Sequence, residues 1–239
     1  MSDHTTLRFG PRNARRRVIF GHGAGGLDKK QAGFREMVEH WSTDPRLRHV
    51  EFVLPTAPTR PVGLLGNKEV PAWFDCAQDA STPSGWRVNR EHLEASKEAY
   101  VALATQGGGT LETTVFAGFS QGGATALFTG LQTACAGILV MSSLLVATDL
   151  DGAALRVPKP VLVCVGDADQ YVPLAQIEAT KAFLADRTAC AVQTRTFKGL
   201  GHTSNEQEAA VCANWLAKVL AVDDDDATLG SAAGVGFIK

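Results

Sequence analysis

Residues 118–122 read Gly-Phe-Ser-Gln-Gly and match the pattern GxSxG. An apolar run precedes them and a run with helical spacing follows, so Ser120 is predicted to lie on a sharp turn from a strand into a helix. Glycines on both sides allow the tight backbone that exposes the serine hydroxyl. The helix that starts at Gln121 directs its N-terminus at the same point, where negative charge is stabilised. The pattern favours a nucleophilic serine over the alternative, a glycine-rich turn with an incidental serine.

A serine hydroxyl becomes a good nucleophile only when a histidine takes its proton and a carboxylate orients that histidine. After GxSxG the expected chain order is serine, acid, histidine. His202 and two carboxylates, Asp167 and Asp169, each lie just past the end of an aliphatic, β-branched run. The carboxyl ends of parallel strands share one edge of a sheet, where catalytic groups collect. The sequence therefore predicts that Ser120, His202 and one of the two aspartates meet at that edge.

A glycine-rich segment, residues 21–26 (Gly-His-Gly-Ala-Gly-Gly), follows the first apolar run. Attack on a carbonyl creates an oxyanion that needs N–H donors, and the backbone N–H groups of Ala24 and Gln121 are predicted to supply them. His22 is expected to hydrogen-bond within this turn. The segment also satisfies the dinucleotide pattern GxGxxG, but that interpretation requires an acid at the end of the second strand. Residues 53–55 are Val-Leu-Pro, and no GK[ST] follows the glycines, so nucleotide binding is not favoured.

Aliphatic runs alternate along the chain with segments of helical period, which is typical of parallel β-α-β units. The predicted strands are residues 17–20, 50–54, 113–118, 137–141, 160–165 and 191–197, and the predicted helices are 29–41, 90–105, 121–133, 174–186 and 205–220. Strands this apolar are covered by helices on both faces. The sequence therefore predicts an α/β fold with a doubly wound, mostly parallel sheet in a single domain, residues 1–222. The acidic, Gly- and Ala-rich residues 223–239 are predicted to form a flexible tail.

The charge balance excludes some classes of function, because 23 Lys+Arg stand against 25 Asp+Glu. Nucleic-acid binding needs a concentrated excess of Lys and Arg. The longest apolar stretch, 136–147, is shorter than the roughly 18 residues that a membrane span needs, although transient contact with a membrane surface stays open. The acidic run 223–226 lacks the glycine and distal glutamate of a calcium loop, so no metal is expected. The five cysteines form no CxxC pair, which favours reduced thiols and a cytoplasmic location, with an N-terminal transit peptide as the alternative.

These residues together resemble the acyl-protein thioesterase, or lysophospholipase and carboxylesterase, family of α/β-hydrolases, from about Val18 to Leu220. The blocks that carry the resemblance are Gly21-His22-Gly23-Ala24-Gly25, Pro55-Thr56-Ala57-Pro58, Pro71-Ala72-Trp73-Phe74-Asp75, Gly118-Phe119-Ser120-Gln121-Gly122-Gly123, Gly166-Asp167-Ala168-Asp169 and Gly201-His202. The resemblance implies Ser120 as nucleophile, Asp169 as orienting acid and His202 as base, with the amides of Ala24 and Gln121 as oxyanion hole. It also implies an α/β-hydrolase fold without a large cap domain.

Residues 56–87 are predicted to form a long loop, and in that family the region from Arg60 to Trp73 shapes an apolar channel for a fatty acyl chain. The resemblance therefore implies that Val62, Leu64, Leu65 and Trp73 bind substrate; the alternative is that they pack the segment onto the sheet. The family usually has a larger aliphatic residue where this chain has Ala24, which implies an acyl pocket of altered shape.

The sequence thus predicts a serine hydrolase that cleaves acyl thioesters or carboxylic esters of an acylated protein, a lipid or a small molecule, without a cofactor. A short-chain carboxylesterase is one alternative, and a non-catalytic scaffold that binds a ligand or partner is another. No feature of the sequence predicts an oligomeric state.

Overall fold

Seven of the described strands form one mostly parallel sheet at the centre of the molecule. The structure, a computed structural model, describes residues 6–27, 32–82, 84–147, 149–150 and 152–222. Within these ranges the strands are β1 (Thr6–Phe9), β2 (Arg16–Gly21), β3 (Val50–Pro55), β4 (Thr59–Val62), β5 (Lys68–Pro71), β6 (Cys76–Gln78), β7 (Trp86–Val88), β8 (Thr114–Phe119), β9 (Gly137–Met141), β10 (Pro160–Gly166) and β11 (Ala191–Phe197). The predicted tail and the predicted start of the first helix lie outside the described residues.

The strand order in the sheet is β1-β3-β2-β8-β9-β10-β11. β1 runs antiparallel to β3, and the other neighbours pair in parallel. The connecting helices are α1 (Ala32–Thr43), α2 (Arg90–Thr105), α3 (Gln121–Leu131), α4 (Leu174–Arg187) and α5 (Glu206–Val219). The fold is that of an α/β-hydrolase, and the predicted doubly wound, mostly parallel sheet is confirmed.

The inner strands divide their side chains between two apolar cores, one on each face of the sheet. In β10, Val161, Val163 and Val165 belong to one core, whereas Leu162 and Cys164 belong to the other. This alternation follows from the two-residue period of a strand. Because all these side chains are buried, the strand reads as one apolar run in the sequence, and each large aliphatic side chain contributes about 1.5–3 kcal/mol by leaving water.

The helices cover both faces of the sheet. Leu93 and Tyr100 of α2, together with buried residues of α3 and α4, pack in the core that contains Val163. Phe34 and Trp41 of α1, together with buried residues of α5, pack in the core on the opposite face. This arrangement places the chain segments that follow β2, β8, β10 and β11 at one edge of the sheet, its carboxyl edge.

Two parts of the fold differ from the sequence prediction. Strand β1 was not predicted, because Thr6–Phe9 is only partly buried and shows no continuous apolar run. The segment 56–87, predicted as a loop, contains two small antiparallel sheets, β4–β5 and β6–β7, and a 3₁₀ turn at Gly63–Leu65. Proline is tolerated in β4 and β5 because each strand pairs on one side only.

No separate cap domain stands over the carboxyl edge in the part of the chain that the structure describes. Among the same residues, no helix has the length and apolarity that crossing a membrane requires.

Candidate active site

Ser120 lies on the turn between β8 and α3 in an unusual backbone conformation, with φ 53° and ψ −122°. A non-glycine residue held in such a region stores roughly 1–3 kcal/mol of strain. Backbone hydrogen bonds hold the turn on both sides: the Ser120 N–H donates to the Met141 carbonyl at 3.0 Å, and the Ala124 N–H donates to the Ser120 carbonyl at 3.0 Å. The strained turn raises the serine above the carboxyl edge of the sheet.

The glycines of GxSxG are required by close backbone packing. A Cβ atom at Gly122 would lie 2.1 Å from the Gly21 carbonyl oxygen, and one at Gly118 would lie 2.4 Å from the Gly122 carbonyl carbon. Helix α3 therefore begins in direct backbone contact with the ends of β2 and β8. This contact brings the Ser120 turn and the glycine-rich segment 21–26 together.

Ser120, His202 and Asp169 form a continuous hydrogen-bonded line. The Ser120 Oγ lies 3.0 Å from His202 Nε2, and His202 Nδ1 lies 2.8 Å from Asp169 Oδ2. The other carboxylate oxygen accepts the backbone N–H groups of Tyr171 and Val172, each at 2.9 Å. Burial disfavours the charge on Asp169, but hydrogen bonds from His202 and from these N–H groups outweigh it, so the pKa of Asp169 is lowered. An ionised Asp169 holds the proton on Nδ1 and leaves Nε2 to accept the serine proton.

The second candidate acid, Asp167, has a different contact. Its Oδ1 accepts the Gly199 N–H at 2.6 Å, which ties the turn after β10 to the turn after β11. The structure therefore brings Asp169, and not Asp167, to His202.

Two aromatic rings flank the His202 imidazole. The Phe119 ring centroid lies 4.7 Å from it and the Tyr171 ring centroid 5.1 Å from it. Phe119 is buried, whereas half of the Tyr171 side chain is exposed beside the site. Tyr171 was not among the predicted site residues, and its position two residues after Asp169 was the available signal.

His22 organises the glycine-rich segment from inside. The side chain is buried, its Nδ1 donates to the Gly23 carbonyl at 2.7 Å, and its Nε2 accepts the Ala57 N–H at 2.9 Å. Burial lowers the pKa of His22, although the hydrogen bond to Gly23 opposes this. His22 is thus a neutral structural residue, and the predicted hydrogen bond within the turn is confirmed.

The two predicted oxyanion donors lie on the two chain segments whose backbones are in contact at Gly122: residues 21–26 and the start of α3. Ala24 belongs to the turn in which the Gly26 N–H donates to the Gly23 carbonyl at 3.3 Å. The backbone N–H of Gln121 is the first of helix α3, where N–H groups lack intrahelical acceptors. The Gln121 side chain is engaged elsewhere, since its Nε2 donates to the Phe74 carbonyl at 2.9 Å.

A protein-family model described as Phospholipase/Carboxylesterase matches residues 4–220. The chain belongs to this family. Acyl-protein thioesterase 1 of Neurospora crassa is 33% identical over 217 residues, covering 85% of this chain and 86% of that protein. Acyl-protein thioesterase 1 of Mycosarcoma maydis is 31% identical over 242 residues, covering 92% of this chain and 99% of that protein. As a member of the phospholipase and carboxylesterase family, the chain is a hydrolase.

Solved structures share the same fold. Zea mays acyl-protein thioesterase 2 superposes with a TM-score of 0.75 at 22% identity, covering 91% of this chain and 99% of that chain. Esterase PE8 superposes with a TM-score of 0.70 at 25% identity, covering 91% of this chain and 98% of that chain.

The four residues that were predicted to bind substrate lie in different environments. Val62 and Trp73 are buried in the core, and the Trp73 indole N–H donates to the His22 carbonyl at 2.7 Å. Leu64 is partly buried against the same core, and Leu65 is 43% exposed. Of these four, only the two leucines have side chains with substantial exposure to solvent.

Among the described residues, no group of three His, Cys, Asp or Glu side chains is arranged to hold a metal ion.

Proposed function

We propose that this hydrolase cleaves acyl thioesters or carboxylic esters by attack of Ser120 on the acyl carbonyl, with formation of an acyl-serine intermediate. The observation that carries the proposal is the hydrogen-bonded line from Ser120 through His202 to Asp169, with distances of 3.0 and 2.8 Å. His202 Nε2 accepts the serine proton as the oxygen attacks. Asp169 keeps the imidazole oriented and stabilises the imidazolium that forms.

The negative charge of the tetrahedral intermediate falls at the start of helix α3. We assign the backbone N–H groups of Ala24 and Gln121 as its donors, because fixed donors in such a position stabilise an oxyanion without reorganisation. His202 then gives its proton to the leaving thiol or alcohol and activates a water molecule, which hydrolyses the acyl-serine and regenerates the enzyme.

The proposed substrates are acylated proteins, lysophospholipids or small esters. Similarity to acyl-protein thioesterases supports the first. The exposed Leu65 and the partly buried Leu64 offer apolar contact to an acyl chain, and each CH₂ group removed from water contributes about 0.8 kcal/mol. A second candidate function is that of a short-chain carboxylesterase. The burial of Val62 and Trp73 favours it, because fewer apolar side chains are then left to contact a long acyl chain.

All five cysteines are free thiols, which supports a cytoplasmic location.

The test is labelling with a fluorophosphonate probe, followed by turnover of p-nitrophenyl esters and of a palmitoyl thioester. Wild type should be labelled once, and Ser120→Ala should lose both labelling and turnover. Ser143→Ala, which removes a nearby buried hydroxyl, is the matched control and should keep both. Retention of labelling by Ser120→Ala would show that the nucleophile is another residue.

The chain-length preference is tested by replacing both Leu64 and Leu65 with Ser. The expected result is a KM roughly tenfold higher for a laurate ester and unchanged for an acetate ester, because only the long chain loses apolar contact. An equal rise for both esters would show that the two leucines do not contact the acyl chain.

A further inference from the structure

Glu208 is a buried acid that the proposed mechanism does not use. It is the third residue of α5 and lies six residues after His202. Its backbone N–H donates to the Oδ1 of Asn205, the residue that caps the helix, at 2.8 Å. A glutamate at this position usually reaches back to the capping residue or points into solvent. Here the side chain is 0% exposed, and neither carboxylate oxygen has a hydrogen-bond partner of good geometry among the described residues.

The surroundings of Glu208 belong to the candidate site. The Ser204 hydroxyl stabilises its charged form, whereas the negative charge of Asp169 opposes that form. Ser204, which lies between His202 and the helix, also contacts the Met37 sulfur of α1 at 3.8 Å. The buried carboxyl group therefore lies at the start of the helix that follows the His202 turn, where the charge of Asp169 acts on it.

Other titratable groups around Glu208 bring no opposite charge. On its own helix lies Cys212, whose pKa is raised by its contact with Cys164 of β10, by burial and by the charge of Glu208, so this thiol stays neutral. From α1, Glu36 and His40 line the neighbouring groove but are exposed to solvent. No described basic side chain is ion-paired with Glu208.

The two neighbouring carboxyl groups consequently ionise in different pH ranges. Burial, with a smaller contribution from Asp169, raises the pKa of Glu208 to about 7 from its ordinary 4.5, while hydrogen bonds lower that of Asp169. Environments that separate two such groups are typical of sites in which one acid is charged and the other carries a proton.

We propose that Glu208 is a positioning residue of this site: its buried carboxyl group, at the start of α5, supports the turn that carries His202. The proposal rests on the proposed function of His202 as the base. Glu208 acts through His202 and Asp169 and does not touch the substrate.

The experiment compares Glu208→Gln, which keeps the shape without the charge, with Glu208→Ala, which removes the support. Glu51→Gln is the matched control, because Glu51 is also fully buried but is ion-paired with Arg8 and Arg17. The measurements are kcat and KM for p-nitrophenyl acetate between pH 5 and pH 9, each normalised to the fraction of chains that a fluorophosphonate labels.

Glu208→Ala should lower kcat at least tenfold with KM changed less than twofold, and Glu208→Gln should restore most of kcat. Glu51→Gln should keep kcat and KM within twofold of wild type. Full activity of Glu208→Ala, or a loss of kcat in Glu208→Gln as large as that in Glu208→Ala, would overturn the proposal.

A thermal measurement is independent of activity. Between the ordinary glutamate pKa and about 7 the folded state keeps the Glu208 proton that the unfolded state releases, so stability falls as pH rises through this interval. The Tm of wild type should therefore fall from pH 5 to pH 8 more than that of Glu208→Gln. Equal changes in Tm would overturn the buried ionisation, whereas labelling of Ser120→Ala would overturn only the proposed function.

Discussion

The two edges of the central sheet differ in how their buried polar groups are paired. At the amino edge, Arg17 and Glu51 are fully buried and ion-paired at 3.1 Å, and Arg17 donates to carbonyls at the end of α2, including that of Leu103 at 3.0 Å. Lys159, also buried, donates to the Gly130 carbonyl at 2.8 Å at the end of α3. Cations at helix C-termini are stabilising.

The carboxyl edge instead contains strained and unpaired groups. Of the four non-glycine residues with positive φ among the described residues, Ser120 and Ser142 lie there. The buried Ser142 hydroxyl lacks a hydrogen-bond partner in the described chain, and neither oxygen of the Glu208 carboxyl group has one of good geometry there. Ion-paired charges lie at one edge and strained backbone lies at the other, so we expect substitutions at the two ends of the same strands to affect stability and chemistry separately.

The largest expected effect is on the chemistry of the carboxyl edge. Asp169→Asn should lower kcat by about four orders of magnitude, because the amide cannot hold the imidazole in the productive tautomer. Asp167→Asn is the control and should keep activity, since an amide oxygen can still accept the Gly199 N–H. Steady-state kinetics on both variants measures the difference, and comparable losses would contradict the assignment of Asp169.

At the amino edge the expected effect is on stability. Arg17→Met should lower the free energy of unfolding by about 3–5 kcal/mol, because it leaves Glu51 buried with one fewer cation and uncaps α2. Activity per labelled active site should stay within twofold of wild type. Denaturant unfolding measures the change, with Arg46→Met in the exposed pair with Asp44 as a control that should not shift the midpoint.

The smallest expected effect comes from relieving strain beside the nucleophile turn. Ser142→Gly should raise the free energy of unfolding by about 1 kcal/mol, because glycine adopts its φ of 44° without steric cost. It also removes a buried hydroxyl without a partner. Asn67→Gly, at φ 61° in an exposed turn, is the control and should change stability less. A loss of stability in Ser142→Gly would show that its hydroxyl is satisfied.

Sequence patterns predicted most strands and two of the site residues, but not every strand or every buried acid. Five of the six parallel strands were predictable because burial on both faces makes continuous apolar runs, and the mostly exposed β11 was predictable from its β-branched residues. Ser120 and His202 follow predicted strands directly, which placed both at one edge. The partly exposed β1 gave no such signal. The sequence left Asp167 and Asp169 open until family resemblance favoured one, since the choice depends on which carboxylate faces Gly199 and which faces His202. The burial of Glu208 was unpredictable, because it arises from packing of α5 against distant elements.

Gly166 shows how the His202 turn is supported. A Cβ atom at this last residue of β10 would lie 1.9 Å from the Leu200 carbonyl oxygen. The main chain of the turn after β11, which leads to His202, therefore lies directly against the main chain at the end of β10. For protein engineering this separates the positions into two kinds. Leu64 and Leu65, which the proposed function assigns to the acyl chain, can be exchanged without disturbing this backbone contact, whereas any side chain introduced at Gly166 would displace the turn that carries His202. A mutant library should therefore leave Gly166 unvaried and vary Leu64 and Leu65.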